Sequence, residues 1–277
     1  MRRISALAAV AFALTIGATP AQAADPPSGC TLNPTGGTIT RTLGGRTYLL
    51  RVPAGITATR APLLVVFHGA LSNGQTVEFF SGWSGFADAK KFIVAYPQAR
   101  PLGWAGVWDP YTNGSDDVQF AEDVVADISA TWCVDPRRVH ADGWSNGAVM
   151  SQRMACESAG TFASVSSYGG GDPMLLGIAD GCHPARPISV AMFTGQLDFT
   201  YAGLGENTAQ WRDVDDCGSN ATRTYDLYGT TRTFSCSAGA KVVARVVYLT
   251  SHNWPLGAQA EDQRERLWAF FQANPRP

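Results

Sequence analysis

Histidine is scarce in this sequence, with four among 277 residues, at positions 68, 140, 183 and 252. Chemistry that gathers imidazoles round a metal has little to work with. No HExxH and no CxxC pair occurs, and only His183 lies beside a cysteine, so neither a metal nor another cofactor is expected. The glycine runs lack a following GK[ST], which removes the phosphate-cradle reading. Charge is sparse too: 16% of residues are Asp, Glu, Lys or Arg, and the formal net charge is −2. Such a balance gives no basic face for nucleic acid and no attraction to an acidic membrane. The apolar run near the N-terminus falls short of the roughly 20 residues that cross a bilayer. Neither an internal repeat nor a long low-complexity linker interrupts the chain.

What the sequence does contain begins with an address. Arg2 and Arg3 precede an apolar run from Ala6 to Ile16, and Ala21-Gln22-Ala23 has the small-x-small pattern of a signal-peptidase site. A signal peptide over residues 1–23 and a secreted, extracellular mature chain over residues 24–277 are expected. That length suits one domain with a substantial core, and a monomer is the simplest expectation. Six cysteines, at 30, 133, 156, 182, 217 and 236, make an even count in an exported chain and favour disulfides over reactive thiols. Sequence proximity suggests Cys217 with Cys236 and Cys156 with Cys182, which leaves Cys30 for Cys133.

Gly44-Gly45 between residues 38–42 and 46–52 predicts a hairpin, since adjacent glycines supply the positive φ such turns require. Residues 62–69 form an unbroken apolar run, the pattern of a central strand covered on both faces. Further strands are expected at 92–96, 138–141, 187–193 and 241–250, and helices at 118–128, 148–157 and 262–271. Strands alternating with helices predict an α/β fold with a mostly parallel central sheet and helices on both faces. Residues 200–240, rich in Gly, Thr and Asp, read as an irregular excursion held by a disulfide, part of a substrate rim.

Gly143-Trp144-Ser145-Asn146-Gly147 sits between an expected strand and an expected helix. This is the GxSxG elbow, in which a strained turn exposes the serine hydroxyl and the following helix aims amides at developing negative charge. A serine needs a base, and the base needs an orienting carboxylate. On an α/β-hydrolase fold the order is Ser, acid, His, which leaves His252 and His183 to choose between. His252 follows the last apolar strand, at a sheet edge, and is the expected base. Nine carboxylates lie between Ser145 and His252. Asp198, just beyond the strand at 187–193, is the expected acid, with Asp172 in reserve, and the Asp213, Asp215 and Asp216 cluster reads as a solvated face. The oxyanion donors expected are the amide of Asn146 and that of Ala70 or Leu71, in the loop after His68-Gly69. His68 itself reads as a ring packed behind that hole. Trp104, Trp108 and Trp254 are candidates for an aromatic, substrate-binding wall, with burial in the core as the alternative.

These pieces resemble the polyhydroxybutyrate-depolymerase and feruloyl-esterase family of secreted esterases. The matching segments are Leu63 to Gly69, Tyr96-Pro97, Asp116-Asp117-Val118, the elbow with Met150 and Ala155-Cys156-Glu157, Thr194-Gly195-x-x-Asp198, and Ser251-His252-Asn253-Trp254-Pro255. The resemblance implies an α/β-hydrolase fold, a triad of Ser145, Asp198 and His252, and a carboxylic ester as substrate, either an acylated plant polysaccharide or a polyester. Two positions depart from the family pattern: Thr194, where a histidine is usual, and Ala148, where another glycine is common. Two other functions are compatible with the same residues, an extracellular acyltransferase and a catalytically silent binding module on a hydrolase scaffold.

Overall fold

In the computed structural model, which describes residues 28–102, 105–110, 115–170 and 181–277, the first element is the expected hairpin. Strand β1 (Thr38–Leu43) pairs antiparallel with β2 (Arg46–Arg51) across Gly44 and Gly45, both at positive φ. Strand β3 (Ala61–Phe67) is buried at every position. The reason is that both faces are covered: Leu63, Val65 and Phe67 enter one core while Leu64 and Val66 enter the other.

The chain then runs through α1 (Gly74–Ser81), α2 (Trp83–Lys90) and β4 (Ile93–Pro97). A small separate ladder, β5 (Pro101–Leu102) with β6 (Ala105–Gly106), precedes α3 (Asp116–Thr131), β7 (Val134–Gly143), α4 (Asn146–Glu157), β8 (Ser164–Tyr168) and β9 (Ser189–Gly195). The last elements are α5 (Leu204–Val214), β10 (Ala221–Asp226), β11 (Gly229–Ser235), β12 (Lys241–Val247) and α6 (Gly257–Ala273). Ten strands form one sheet in the order β1-β2-β4-β3-β7-β8-β9-β12-β11-β10. From β4 to β12 neighbours are parallel, and antiparallel hairpins close both ends. Side chains of α3, α4 and α5 fill one core, and those of α1, α2 and α6 fill the other. This is the expected α/β architecture with helices on both faces.

Residues 200–240 require a correction. They are no irregular excursion: α5 packs Leu204 and Trp211 into the core, and the β10–β11 hairpin extends the sheet beyond β12. Threonine and arginine dominate the hairpin because its outer strand lies at the sheet edge, where one face is solvated and the apolar signal is weak. Strand β8, Ser-Val-Ser-Ser-Tyr, was hidden for another reason. Its serines let α4 approach closely, and the Ser151 hydroxyl donates to the carbonyl of Ser166 at 2.6 Å.

Three disulfides join Cys30 to Cys133, Cys156 to Cys182 and Cys217 to Cys236, the pairing that proximity suggested. No helix among the described residues is long and apolar enough to cross a membrane. The expected leader at 1–23, Trp104 and the reserve acid Asp172 lie outside the described residues.

Candidate active site

Parallel strands present their carboxyl ends at one edge of the sheet, and three loops there converge. Ser145 stands two residues past the end of β7, with φ 58° and ψ −122°, a conformation L-residues avoid. The turn survives because its two glycines leave no room for anything else. A Cβ on Gly147 would lie 2.2 Å from the carbonyl oxygen of Phe67, and one on Gly143 would lie 2.0 Å from that of Gly147. The elbow is anchored by the Ser145 amide, which donates to the carbonyl of Tyr168 at 2.9 Å.

His252 lies in the loop after β12, with Nε2 2.8 Å from the Ser145 hydroxyl oxygen. Its Nδ1 is 3.0 Å from both carboxylate oxygens of Asp198. An ionised carboxylate only accepts, so Nδ1 carries the proton and Nε2 is left to accept from the serine. Burial opposes ionisation of Asp198. Hydrogen bonds from His252 and from the Thr200 amide and hydroxyl, both at 2.8 Å, outweigh it and hold the carboxyl below its ordinary range. The Asp198 side chain is fully enclosed, whereas that of His252 is about one quarter exposed and open to a ligand.

Thr200 is a contributor that sequence reading passed over, although Asp-x-Thr is the spacing of such a turn. Trp144 is another. Its Nε1 donates to the carbonyl of His252 at 2.8 Å, and its ring sits against Gly69. The hydroxyl of Tyr168 reaches the carbonyl of Ser251 at 3.3 Å, and the ring of Phe199 lies 4.3 Å from that of His252. The serine-, acid- and histidine-bearing loops are thus tied to one another.

The loop after β3 brings Gly69 beside Ser145, so Ala70 and Leu71 lie at the elbow. The Leu71 amide donates to the carbonyl of Gly106 at 2.9 Å and is committed there. That bond removes Leu71 from the two expected donors and leaves Ala70, whose amide has no acceptor among the described residues. Asn146 is held on its other side, where its amide group bonds both backbone atoms of Trp108 at 2.9 and 3.3 Å. His68 packs behind the loop as expected. It donates from Nδ1 to the carbonyl of Gly69 and accepts at Nε2 from the Ala99 amide, and burial lowers its pKa to about 4, which keeps the ring neutral.

The aromatic wall needs correcting. Trp108 is 1% exposed, its ring edge-on to Phe67 and its Nε1 bonded to the carbonyl of His68, so it supports the loop from behind and faces no ligand. Trp254 is also largely buried, against Tyr168, yet it reaches an apolar cavity of about 190 Å³ beside the elbow. Trp144, Phe80, Val77 and Leu256 complete the apolar walls. The Trp254 indole N–H is buried with no acceptor among the described residues.

The chain is similar to several known proteins. No family model matches the chain. Feruloyl esterase C of Emericella nidulans is 28% identical over 273 residues, covering 92% of this chain and 94% of that protein. Feruloyl esterase B of Piromyces equi is 27% identical over 219 residues, 71% of this chain, which spans only 40% of that longer protein. A poly(3-hydroxyalkanoate) depolymerase C of Paucimonas lemoignei is 33% identical over 127 residues, 43% of this chain and 30% of that protein. The chain is a carboxylic-ester hydrolase, similar over most of its length to feruloyl esterases. An acetyl xylan esterase from Aspergillus awamori has the same fold, with a TM-score of 0.69 and 18% identity over 85% of this esterase and all of that chain. The esterase therefore has the α/β-hydrolase fold.

Proposed function

We infer that this esterase is secreted and cleaves acyl groups from a polysaccharide through an acyl-enzyme at Ser145. The observation that carries the reading is the continuous relay from the Ser145 hydroxyl through both nitrogens of His252 to the enclosed Asp198. His252 takes the serine proton as Ser145 attacks the ester carbonyl. Asp198 keeps the imidazole in the tautomer that can do so and stabilises the imidazolium that forms. The amides of Asn146 and Ala70 receive the oxyanion, each worth on the order of 3 kcal/mol in such sites. His252 then returns the proton to the leaving alcohol, and water repeats the sequence in reverse to free the acid.

The apolar cavity beside the elbow favours a flat, aromatic acyl group of the feruloyl kind. Phe80, Trp144 and Trp254 supply aromatic wall to it. Polyester is the second reading, favoured by exposed Leu71, Leu197, Phe199 and Leu249 in the segments around the site and Phe79 on α1. Three disulfides suit an oxidising compartment and so support export.

Ser145→Ala should abolish hydrolysis of p-nitrophenyl acetate and labelling by a fluorophosphonate probe. Retained activity would sink the mechanism. A panel of methyl ferulate, acetylated xylan and polyhydroxybutyrate film should favour methyl ferulate, and preference for the film would replace the polysaccharide reading. Acyl transfer to an added alcohol in place of hydrolysis would mark an acyltransferase.

A further inference from the structure

Two cations on the outer hairpin have no ion-pair partner among the described residues. Arg223 on β10 and Arg232 on β11 are register partners, so their side chains stand side by side on one face of the hairpin. Like charges directly opposite one another cost stability. Among the described residues no carboxylate forms an ion pair with either. The hairpin's other face shows the contrast. There Arg245 bonds Asp226 at 2.8 Å and Asp262 at 3.2 Å, and Arg266 bonds Asp262 at 2.8 Å. One face is neutralised, and the other keeps two adjacent guanidinium groups.

Both arginines line an open cavity of about 500 Å³ whose walls include Gln196, Tyr201, Thr230 and Tyr248. Gln196 and Tyr201 lie on the loop that carries Asp198, so this cavity borders the site from the far side of the acid. The two arginines stand on β11 and β10, four and five strands from β7 in the sheet order. At a strand spacing near 4.8 Å that is about 19–24 Å from the elbow. A group bound there is remote from the scissile bond, and on a polymer it would be a neighbouring unit.

We propose that Arg223 and Arg232 form a carboxylate-binding subsite for an acidic sugar unit of the polysaccharide cut at Ser145. Paired planar guanidinium groups match the two oxygens of a carboxylate. The tyrosines offer flat faces to a sugar ring, and Gln196 and Thr230 offer hydrogen-bonding groups to its hydroxyls. A free acid released at Ser145 is the other source of a carboxylate. It would have to leave the elbow and rebind, whereas an acidic polymer spans both places at once. The proposal rests on the polysaccharide reading of the substrate.

The test is calorimetric binding to the intact enzyme of three uncleavable probes. These are a de-esterified xylo-oligosaccharide bearing glucuronic acid, the neutral oligosaccharide of equal length, and ferulate. The acidic oligosaccharide should bind roughly tenfold more tightly than the neutral one, the scale of an exposed charge-assisted contact. That advantage should vanish in Arg223→Ala/Arg232→Ala and at high salt. The double variant should keep its kcat/KM on methyl ferulate and a Tm no lower than the parent's, since relieving repulsion costs nothing. Equal binding of the acidic and neutral oligosaccharides, or an advantage that survives the double variant, overturns the subsite. Ferulate binding that depends on the arginines, without binding of the acidic oligosaccharide, overturns the sugar and assigns the site to released acid. If the acidic oligosaccharide binds through the arginines but xylan esters remain uncut, the substrate reading fails and the subsite stands.

Discussion

The indole nitrogen of Trp144 donates to the carbonyl oxygen of His252 at 2.8 Å, so the residue before the serine holds the loop of its base. Trp144→Phe keeps a ring against Gly69 and deletes that bond. Loss of a hydrogen bond worth about 1 kcal/mol should lower kcat on p-nitrophenyl acetate roughly fivefold. KM should stay the same, because the acyl pocket keeps an aromatic wall. Steady-state kinetics decide it, and a rise in KM alone would show that Trp144 only lines the pocket.

Gly169 tests how tightly the acid and base are held. It adopts φ +60°, and a Cβ there would lie 2.8 Å from a carboxylate oxygen of Asp198 and 3.1 Å from Nδ1 of His252. Gly169→Ala should push the two side chains apart and reduce kcat by about 10- to 100-fold, the scale of misplacing a catalytic group by an ångström. A left-handed alanine adds about 1–2 kcal/mol of destabilisation. A variant as active as the parent would mean that the relay tolerates displacement.

Asp142 sets a pH dependence beneath the elbow. Its oxygens accept from Trp83 Nε1 at 2.8 Å and from the Ser166 hydroxyl at 2.5 Å, and burial raises its pKa to about 6. An unfolded aspartate titrates near 3.9, so between about pH 4 and 6 the folded state keeps a proton that the unfolded state has released. The stability this proton contributes is full below pH 4 and is lost as pH rises through 6. Asp142→Asn cannot titrate, so its stability relative to the parent should improve from pH 4 to 7 by up to about 3 kcal/mol. Urea titrations at the two pH values measure this, and a difference that does not change with pH would mean that Asp142 is ionised throughout.

The bond between Cys30 and Cys133 closes a separation of 103 residues. Cys133 precedes β7, and its carbonyl pairs with the amide that opens β3, at the edge of the sheet away from Ser145. Replacing both cysteines by serine should lower Tm by roughly 5–15 °C, the chain-entropy scale for so long a loop. Activity at 25 °C should be unchanged, because no element of the site touches the bond. Loss of activity in the folded variant would show that the bond shapes the site.

Much of this was legible in order and pattern alone. Two-sided burial writes an unbroken apolar run into β3, and the elbow announces itself through glycines whose neighbours exclude a Cβ. The order along the chain and a place just after a strand made Ser145, Asp198 and His252 the expected three, with Asp172 in reserve, and the fold sets His252 within 3.0 Å of both Ser145 and Asp198. Sequence proximity suggested, among fifteen possible pairings, the disulfides that the fold forms. Weak apolar patterns misled at two places, one half-solvated and one fully buried. The β10–β11 hairpin alternates threonine and arginine because one side meets solvent, and β8 hides in serines that make room for α4.

Other features exist only in three dimensions. Whether Ala70 or Leu71 offers its amide depends on Gly106, 35 positions further along, which takes the Leu71 N–H. Whether Trp108 faces a ligand depends on Phe67 and His68 closing over its ring. The pairing of Arg223 with Arg232 follows from strand register, which sets two like charges side by side. A chain's order determines which chemistries are present and which loops carry them. Only packing decides which donors are already used, which rings are covered and which charges meet, because each outcome depends on a neighbour far away in sequence.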